Sequence, residues 1–171
     1  GSDIVEAIID LDDALDQRIR VCAQSIGVSA ASVFHLAWAQ VLALISGKET
    51  VVFGTVLFGR TQSGDEAADR MLGMFINTLP VCFDVTETGC KIGIQKMHRL
   101  LAELMRHEHA PLALAQRCSA VPSPAPLFST LLNYRHSVNE GSVAADVSAS
   151  WWESMGIKVL KEDERTNYPF T

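Results

Sequence analysis

Leu72-Gly73-Met74-Phe75-Ile76-Asn77-Thr78-Leu79-Pro80-Val81 is the stretch on which the fold turns. Its apolar, aromatic and β-branched residues continue past Val81 through Phe83 to Val85, which predicts a strand over 75–85. Pro80 has no N–H to give to a ladder, so this strand has to be an edge, or be bulged or irregular there. Asn77 carries an amide that must find partners wherever it is partly buried, and it can thereby fix a loop.

Upstream, Thr50-Val51-Val52-Phe53-Gly54-Thr55-Val56-Leu57-Phe58 shows no alternation and predicts a strand buried on both faces. Gly54 and Gly59 read as positions where another backbone or a substrate arm comes close. A loop runs from there to Asp69, with a short helical turn over 66–72. Before the strand come two helices. Leu11, Leu15, Ile19, Cys22 and Ile26 recur at spacings of three and four, one face of an amphipathic helix that Gly27 ends. Ser29 caps a second helix to Ser46, ended by Gly47. It is apolar nearly all round, which predicts packing on more than one side.

Downstream, a helix over 92–107 has the apolar face Ile94, Met97, Leu101 and Leu104. A shorter one runs from Pro111 as far as Cys118. Residues 121–126 hold three prolines and form a stiff connector. A third strand is expected over 128–134, a surface loop over 136–150, and one or two strands around Met155-Gly156 within 151–160. Helix, helix, strand, strand, helix, strand, strand is a mixed α/β layer arrangement. Gly1-Ser2 reads as an expression scar, and the chain reads as cut short at both ends.

The 171 residues suffice for one domain, and 48% hydrophobic with 20% charged is the balance of a globular chain with a real core. A net charge of −6 argues against nucleic acid, whose binding needs a basic face, and against anionic lipid. No secretory signal or long apolar run stands out, so no membrane partner and a cytoplasmic location are expected. None of Cys22, Cys82, Cys90 and Cys118 forms a Cys-x-x-Cys pair, so reduced thiols are expected and no zinc site.

The chemistry-bearing residues give no catalytic constellation. His107-Glu108-His109 offers two histidines around a carboxylate, but on a helix these side chains diverge and no third ligand is evident. Favourable positive charge at a helix C-terminus is the simpler reading. His35, inside the apolar helix, could be a general base, but no nucleophile or orienting acid accompanies it, so a hydrogen-bonded core histidine is expected. The glycines at 54 and 59 lack the Gly-Lys-Ser/Thr of a phosphate loop, and no Gly-x-Ser-x-Gly elbow is present.

The stretch 72–81 resembles the Ile/Val-Gly-x-Phe-Val-Asn-Thr motif of nonribosomal peptide synthetase condensation domains. Val52 to Arg60 looks like that family's Gly-x-x-x-x-Gly-Arg strand. His107-Glu108-His109-Ala110-Pro111-Leu112 stands where the family has His-x-x-x-Pro-Phe. Pro126-Leu127-Phe128 through Asn133-Tyr134 resembles its last conserved segment, and Thr166-Asn167-Tyr168-Pro169-Phe170 fits the family's pattern beyond that segment. The motifs come in family order across nearly the whole chain. Cys82 departs from the family's usual arginine, and the His motif lacks the usual aspartate and phenylalanine. Epimerisation domains usually lack the Asn-Thr-Leu-Pro run, which favours condensation, with a dual epimerising and condensing domain as the alternative.

The resemblance implies a chloramphenicol acetyltransferase-like lobe, a mixed sheet packed with helices, with 3–171 as part of a C-terminal lobe. The family's catalytic histidine, in His-His-x-x-x-Asp-Gly, belongs to the N-terminal lobe. No His-His pair occurs in this sequence, so no catalytic residue and no metal are assigned here and the fragment is expected to be inactive by itself. The resemblance implies instead a substrate-channel wall of Gly73, Phe75, Asn77 and Thr78, with Ser129 and Asn133. The partners implied are the N-terminal lobe, an adjacent adenylation domain, and carrier proteins that bring phosphopantetheine. No cofactor is bound by the fragment itself. A non-catalytic carrier-docking module is a further reading, with Arg99, Arg106 and Arg117 as its cations. A lobe cut from its partner exposes apolar surface, so self-association is expected as well.

Overall fold

The computed structural model describes residues 4–58, 75–86, 89–122, 124–135, 156 and 166–171. Gly59-Arg60, the turn over 66–72, Gly73, the loop over 136–150 and all of 151–160 but Gly156 lie outside them.

Helix α1 spans Asp13–Ser25. It starts after Asp12, whose carboxylate accepts from Ala14 N at 3.4 Å, two residues later than the apolar periodicity expects. Its end is a Schellman motif: Gly27 has φ 69°, Gly27 N donates to Gln24 O and Val28 N to Ala23 O. Only Ala23 of α1 is buried, and Leu15 and Cys22 of the expected inner face are exposed.

Helix α2 spans Ala30–Ser46 and stops at Gly47, φ 65°. Ser29 holds the N-cap position, but its hydroxyl pairs with Ser32 Oγ at 2.9 Å instead of a backbone N–H. The expected all-round packing is only partial: Ser32, His35, Leu36 and Ala39 are buried, whereas Leu44 and Ile45 near the far end are exposed.

Strand β1, Thr50–Leu57, lies between two neighbours. Strand β2, Asn77–Asp84, pairs with it antiparallel, and β3, only Leu131–Leu132, pairs with it parallel. Phe170 bridges to Thr130 beside β3, also parallel. Helix α3 covers Cys90–Arg106 and α4 Leu112–Cys118. Residues of α2, α3, β1 and β2 close one core: Leu36, Val51, Phe53, Val81, Phe83, Ile94, Met97 and Leu101. Burying each of these large side chains contributes about 1.5–3 kcal/mol.

The expectation for Pro80 is met in detail. It stands opposite Gly54, and Gly54 N–H donates away from β2, to Thr130 O at 2.8 Å. The pair 54/80 is therefore a non-hydrogen-bonded one, and the N–H that proline lacks would point off the outer edge of β2. Burial of β1 departs from expectation. Its first residues alternate, with Val52 exposed, and both faces are covered only near Gly54. There Phe128, which sits outside the shortened third strand, lays its ring on the glycine. The close neighbour of Gly54 is thus a side chain.

His35 is the hydrogen-bonded core histidine that its context predicts. Its Nδ1 lies 2.7 Å from Ala31 O and its Nε2 2.8 Å from Thr55 Oγ1. A carbonyl only accepts, so Nδ1 carries the proton, and in the neutral ring Nε2 accepts from the Thr55 hydroxyl. Burial holds the His35 pKa below its ordinary 6.5, opposed in part by the bond to Ala31. Below pH 6.5 the unfolded chain therefore takes up a proton that the folded chain refuses. Stability from this residue is complete above that pH and is lost as pH falls. Denaturant titrations from about pH 7.5 to 5 should show a decline of up to about 1.4 kcal/mol per pH unit, absent in His35→Gln. Equal slopes in both proteins would refute this.

Candidate functional site

Asn77 opens β2, and its amide joins three segments. Oδ1 accepts from Thr78 N at 2.9 Å, and Nδ2 donates to Glu108 O and Ala110 O, both at 2.8 Å. The orientation is set by the partners, because a backbone N–H can only donate and two carbonyls can only accept. Residues 107–111 leave α3 with carbonyls that no further helical turn can satisfy. Asn77 supplies the missing donors and at the same time covers the outward N–H of Thr78 on the sheet edge. The motif around Asn77 and the His-Glu-His-Ala-Pro motif are thus one structural unit. Sequence reasoning expected the amide to fix a loop and left open which one.

Within 107–111 the polar side chains divide. His107 and His109 are exposed, and His107 Nε2 lies 3.7 Å from Glu103. Glu108 is 1% exposed, and its Oε1 lies 3.8 Å from His109 Nε2. Among the described residues no group of three His, Cys, Asp or Glu side chains could hold a metal ion. Glu108 is a buried carboxylate that the pattern of charges did not reveal, because an acidic residue at a helix end reads by default as solvated. Cys22, Cys82, Cys90 and Cys118 are all free and exposed.

The other expected wall residues fall in different places. Thr78 is half-buried opposite Val56, one rung from Asn77 opposite Leu57. Asn133 directly succeeds β3, and continuing the parallel register puts it beside Val56. Asn77, Thr78 and Asn133 therefore gather at one end of the sheet, where β1 finishes. Asn133 is half-buried, and its Oδ1 meets no hydrogen-bond donor among the described residues. Phe75 is half-buried just before β2. Ser129 is exposed and lies four residues back toward the other end of the sheet. Gly73 lies outside the described residues.

A groove of about 550 Å³ opens at the same end. Phe58 after β1, Tyr134 after β3, and Ser29 to Ala31 at the start of α2 line it, with Arg20 and Ala23 of α1. Such a place, outside the carboxyl ends of strands that run parallel, is where open α/β sheets commonly take ligands. Arg20 Nε is paired with Asp16 at 2.7 Å, so this cation is already engaged. None of the described residues expected from sequence lines the groove. Arg20, Phe58 and Tyr134 are far apart in the chain, and no local pattern could have joined them. Among the described residues no single helix is long and apolar enough to cross a membrane.

The family profile described as "Condensation domain" matches residues 3–171. Malpinin synthetase of Mortierella alpina is 48% identical over 171 residues, which are 100% of this chain and 2% of that protein. Malpibaldin synthetase of the same organism is 50% identical over 170 residues, 99% of this chain and 3% of that protein. The chain thus spans only a few hundredths of the length of these relatives. Among solved structures, the condensation domain of the Monacolin K polyketide synthase MokA superposes with a TM-score of 0.65 at 24% identity, over 80% of this chain and 32% of that one.

Proposed function

Because the chain belongs to the condensation-domain family, we propose that it serves as part of the C-terminal lobe of such a domain and forms one wall of the channel where two carrier-bound substrates meet. The reaction is peptide-bond formation in nonribosomal peptide synthesis. The acceptor amine attacks the donor thioester carbonyl; the C–N bond forms, the C–S bond breaks, and the donor carrier's thiol leaves. The phosphopantetheine arms are attached to the carriers and not to this chain. An N-terminal lobe and a neighbouring adenylation domain complete the assembly, and the setting is the cytoplasm.

This lobe contributes position. Holding amine and thioester together in a fixed orientation replaces a bimolecular encounter and can supply much of the rate. The observation that carries the reading is the Asn77 amide: it ties the Asn-Thr motif to residues 107–111 through two carbonyls and makes a rigid edge at the end of the sheet. Thr78 and Asn133, both half-buried, gather at that end and shape the wall there, and the buried Asn133 Oδ1 meets no donor among the described residues.

The test is peptide formation by the parent synthetase with loaded carriers, read by mass spectrometry. Asn133→Ala and Thr78→Val should lower condensation about tenfold, the scale of one lost positioning contact, while amino-acid adenylation stays unchanged. Undiminished condensation in both variants would sink the channel-wall assignment.

A further inference from the structure

We propose that Ser29, Ser32 and His98 form a pH-sensitive switch: protonation of His98 reverses a chain of hydrogen bonds and turns the Ser29 hydroxyl at the groove from an acceptor into a donor. Ser29 Oγ lies 2.9 Å from Ser32 Oγ, and Ser32 Oγ lies 3.1 Å from His98 Nδ1. The chain of bonds crosses from the first turn of α2 to the middle of α3. Ser32 is 0% exposed, so water cannot stand in for either partner. Its hydroxyl meets no third partner among the described residues.

Ser32 has one hydroxyl proton for two neighbours. When that proton goes to His98 Nδ1, Ser32 Oγ accepts from Ser29. When it goes to Ser29, Nδ1 has to supply a proton to Ser32. The ring decides between the two orders. His98 is half-buried, and its Nε2 has no partner among the described residues, so water serves that side of the ring. In the neutral ring one nitrogen donates and the other accepts. The first turn of α2 presents partial positive charge, which favours a lone pair over an N–H at Nδ1. In the cation both nitrogens donate, and only the second order is left.

Ser29 carries the result to the groove, which it lines. It makes no side-chain bond to the N–H groups of α2, so its remaining capacity is not spent on the helix. In the first order its proton points inward to Ser32, and any group that meets it in the groove finds an acceptor. In the second its oxygen accepts from Ser32 and its proton is released to donate.

The surroundings leave this titration to His98. Helix α3 packs on α2 and β2. The one titratable side chain of α2 is His35, whose two nitrogens are already bonded to Ala31 O and Thr55 Oγ1. In β2, Cys82 and Asp84 alternate with the core residues Val81 and Phe83, so they face away from α3. Within α3 the residues one turn from His98 are Ile94, Gln95, Leu101 and Ala102, all uncharged, and Lys96 and Arg99 are exposed on other sides of the helix. The switch is independent of the channel-wall reading.

The test is nuclear magnetic resonance of the whole chain from about pH 8 to 5, the span of ordinary histidine titration. Nitrogen-15 shifts of the His98 ring should show Nδ1 without a proton at the upper end and both nitrogens protonated at the lower. The Ser29 side-chain shifts should move through the same midpoint. In His98→Asn, which keeps a polar atom near Nδ1 and does not titrate, they should stay fixed. In Ser32→Ala, His98 should still titrate and Ser29 should no longer follow. Circular dichroism identifies a variant that has lost its fold, and the ring and Ser29 shifts of the unaltered protein decide by themselves whether the reversal occurs. A neutral ring protonated at Nδ1, Ser29 shifts that ignore the titration, or a Ser29 response that persists in either folded variant would each overturn the proposal.

Discussion

Asn77→Asp should lower the unfolding free energy by about 3 kcal/mol or more, the largest loss expected from a single-atom exchange in this chain. Nδ2 donates to Glu108 O and Ala110 O; an aspartate oxygen in its place faces two carbonyls with no proton to offer. Each orphaned acceptor costs about 1–3 kcal/mol when buried, and the added anion makes the arrangement repulsive. Asn77→Ala removes the same bonds without the repulsion and should cost about 2 kcal/mol. Urea unfolding gives the order: wild type, alanine, aspartate. Hydrogen exchange locates the loss, because amides in 107–111 should lose protection before those of the core strands. Equal stability of the alanine and aspartate variants would remove the argument that donor geometry holds this loop.

Gly54→Ala should destabilise by about 1–3 kcal/mol, through overpacking. A Cβ there would lie 2.8 Å from Phe128 Cζ and 3.0 Å from Leu131 Cδ1, with Phe128 Cε2 nearer still. The ring has little freedom to retreat, because it stacks on Tyr168 at a centroid distance of 5.3 Å. Nor can the strand move off, since Gly54 N is bonded to Thr130 O. Phe128→Ala alone leaves a cavity and should cost about 3–5 kcal/mol. In the double variant the new methyl group occupies space that the ring vacated, so its cost should fall below the sum of the two. Strict additivity in a double-mutant cycle would mean that the ring is not what forbids the methyl group.

Some of this was legible from the chain alone, because it depends on neighbours in sequence. Gly27 and Gly47 end helices in the left-handed conformation that local sterics reserve largely for glycine. The runs at β1 and β2 signal strands, and Pro80 requires β2 to be an edge, bulged or irregular there, since a missing N–H is a local fact. His35 reads as a core residue because an apolar helix surrounds it. The motif order gives the family. Local patterns also overreach. The apolar stripe carries α1 upstream to Leu11, though helix forms only from Asp13. Residues 128–134 resemble a full strand, though only Leu131–Leu132 pair as one.

What remained was decided by tertiary contact. The partners of Asn77 lie more than thirty residues away, at Glu108 and Ala110, so the amide's need for bonds was evident and their identity was not. The burial of Glu108, the ring of Phe128 over Gly54, and the groove between Arg20, Phe58 and Tyr134 likewise join residues from distant parts of the chain. Sequence by itself determined element types, helix ends and family, because backbone sterics and side-chain periodicity act over a few residues. Which polar groups meet, and where a ligand-sized space opens, depended on the packing of α1, α2 and α3 around a three-stranded sheet, since hydrogen bonds and van der Waals contacts act over a few ångströms in space whatever the separation along the chain.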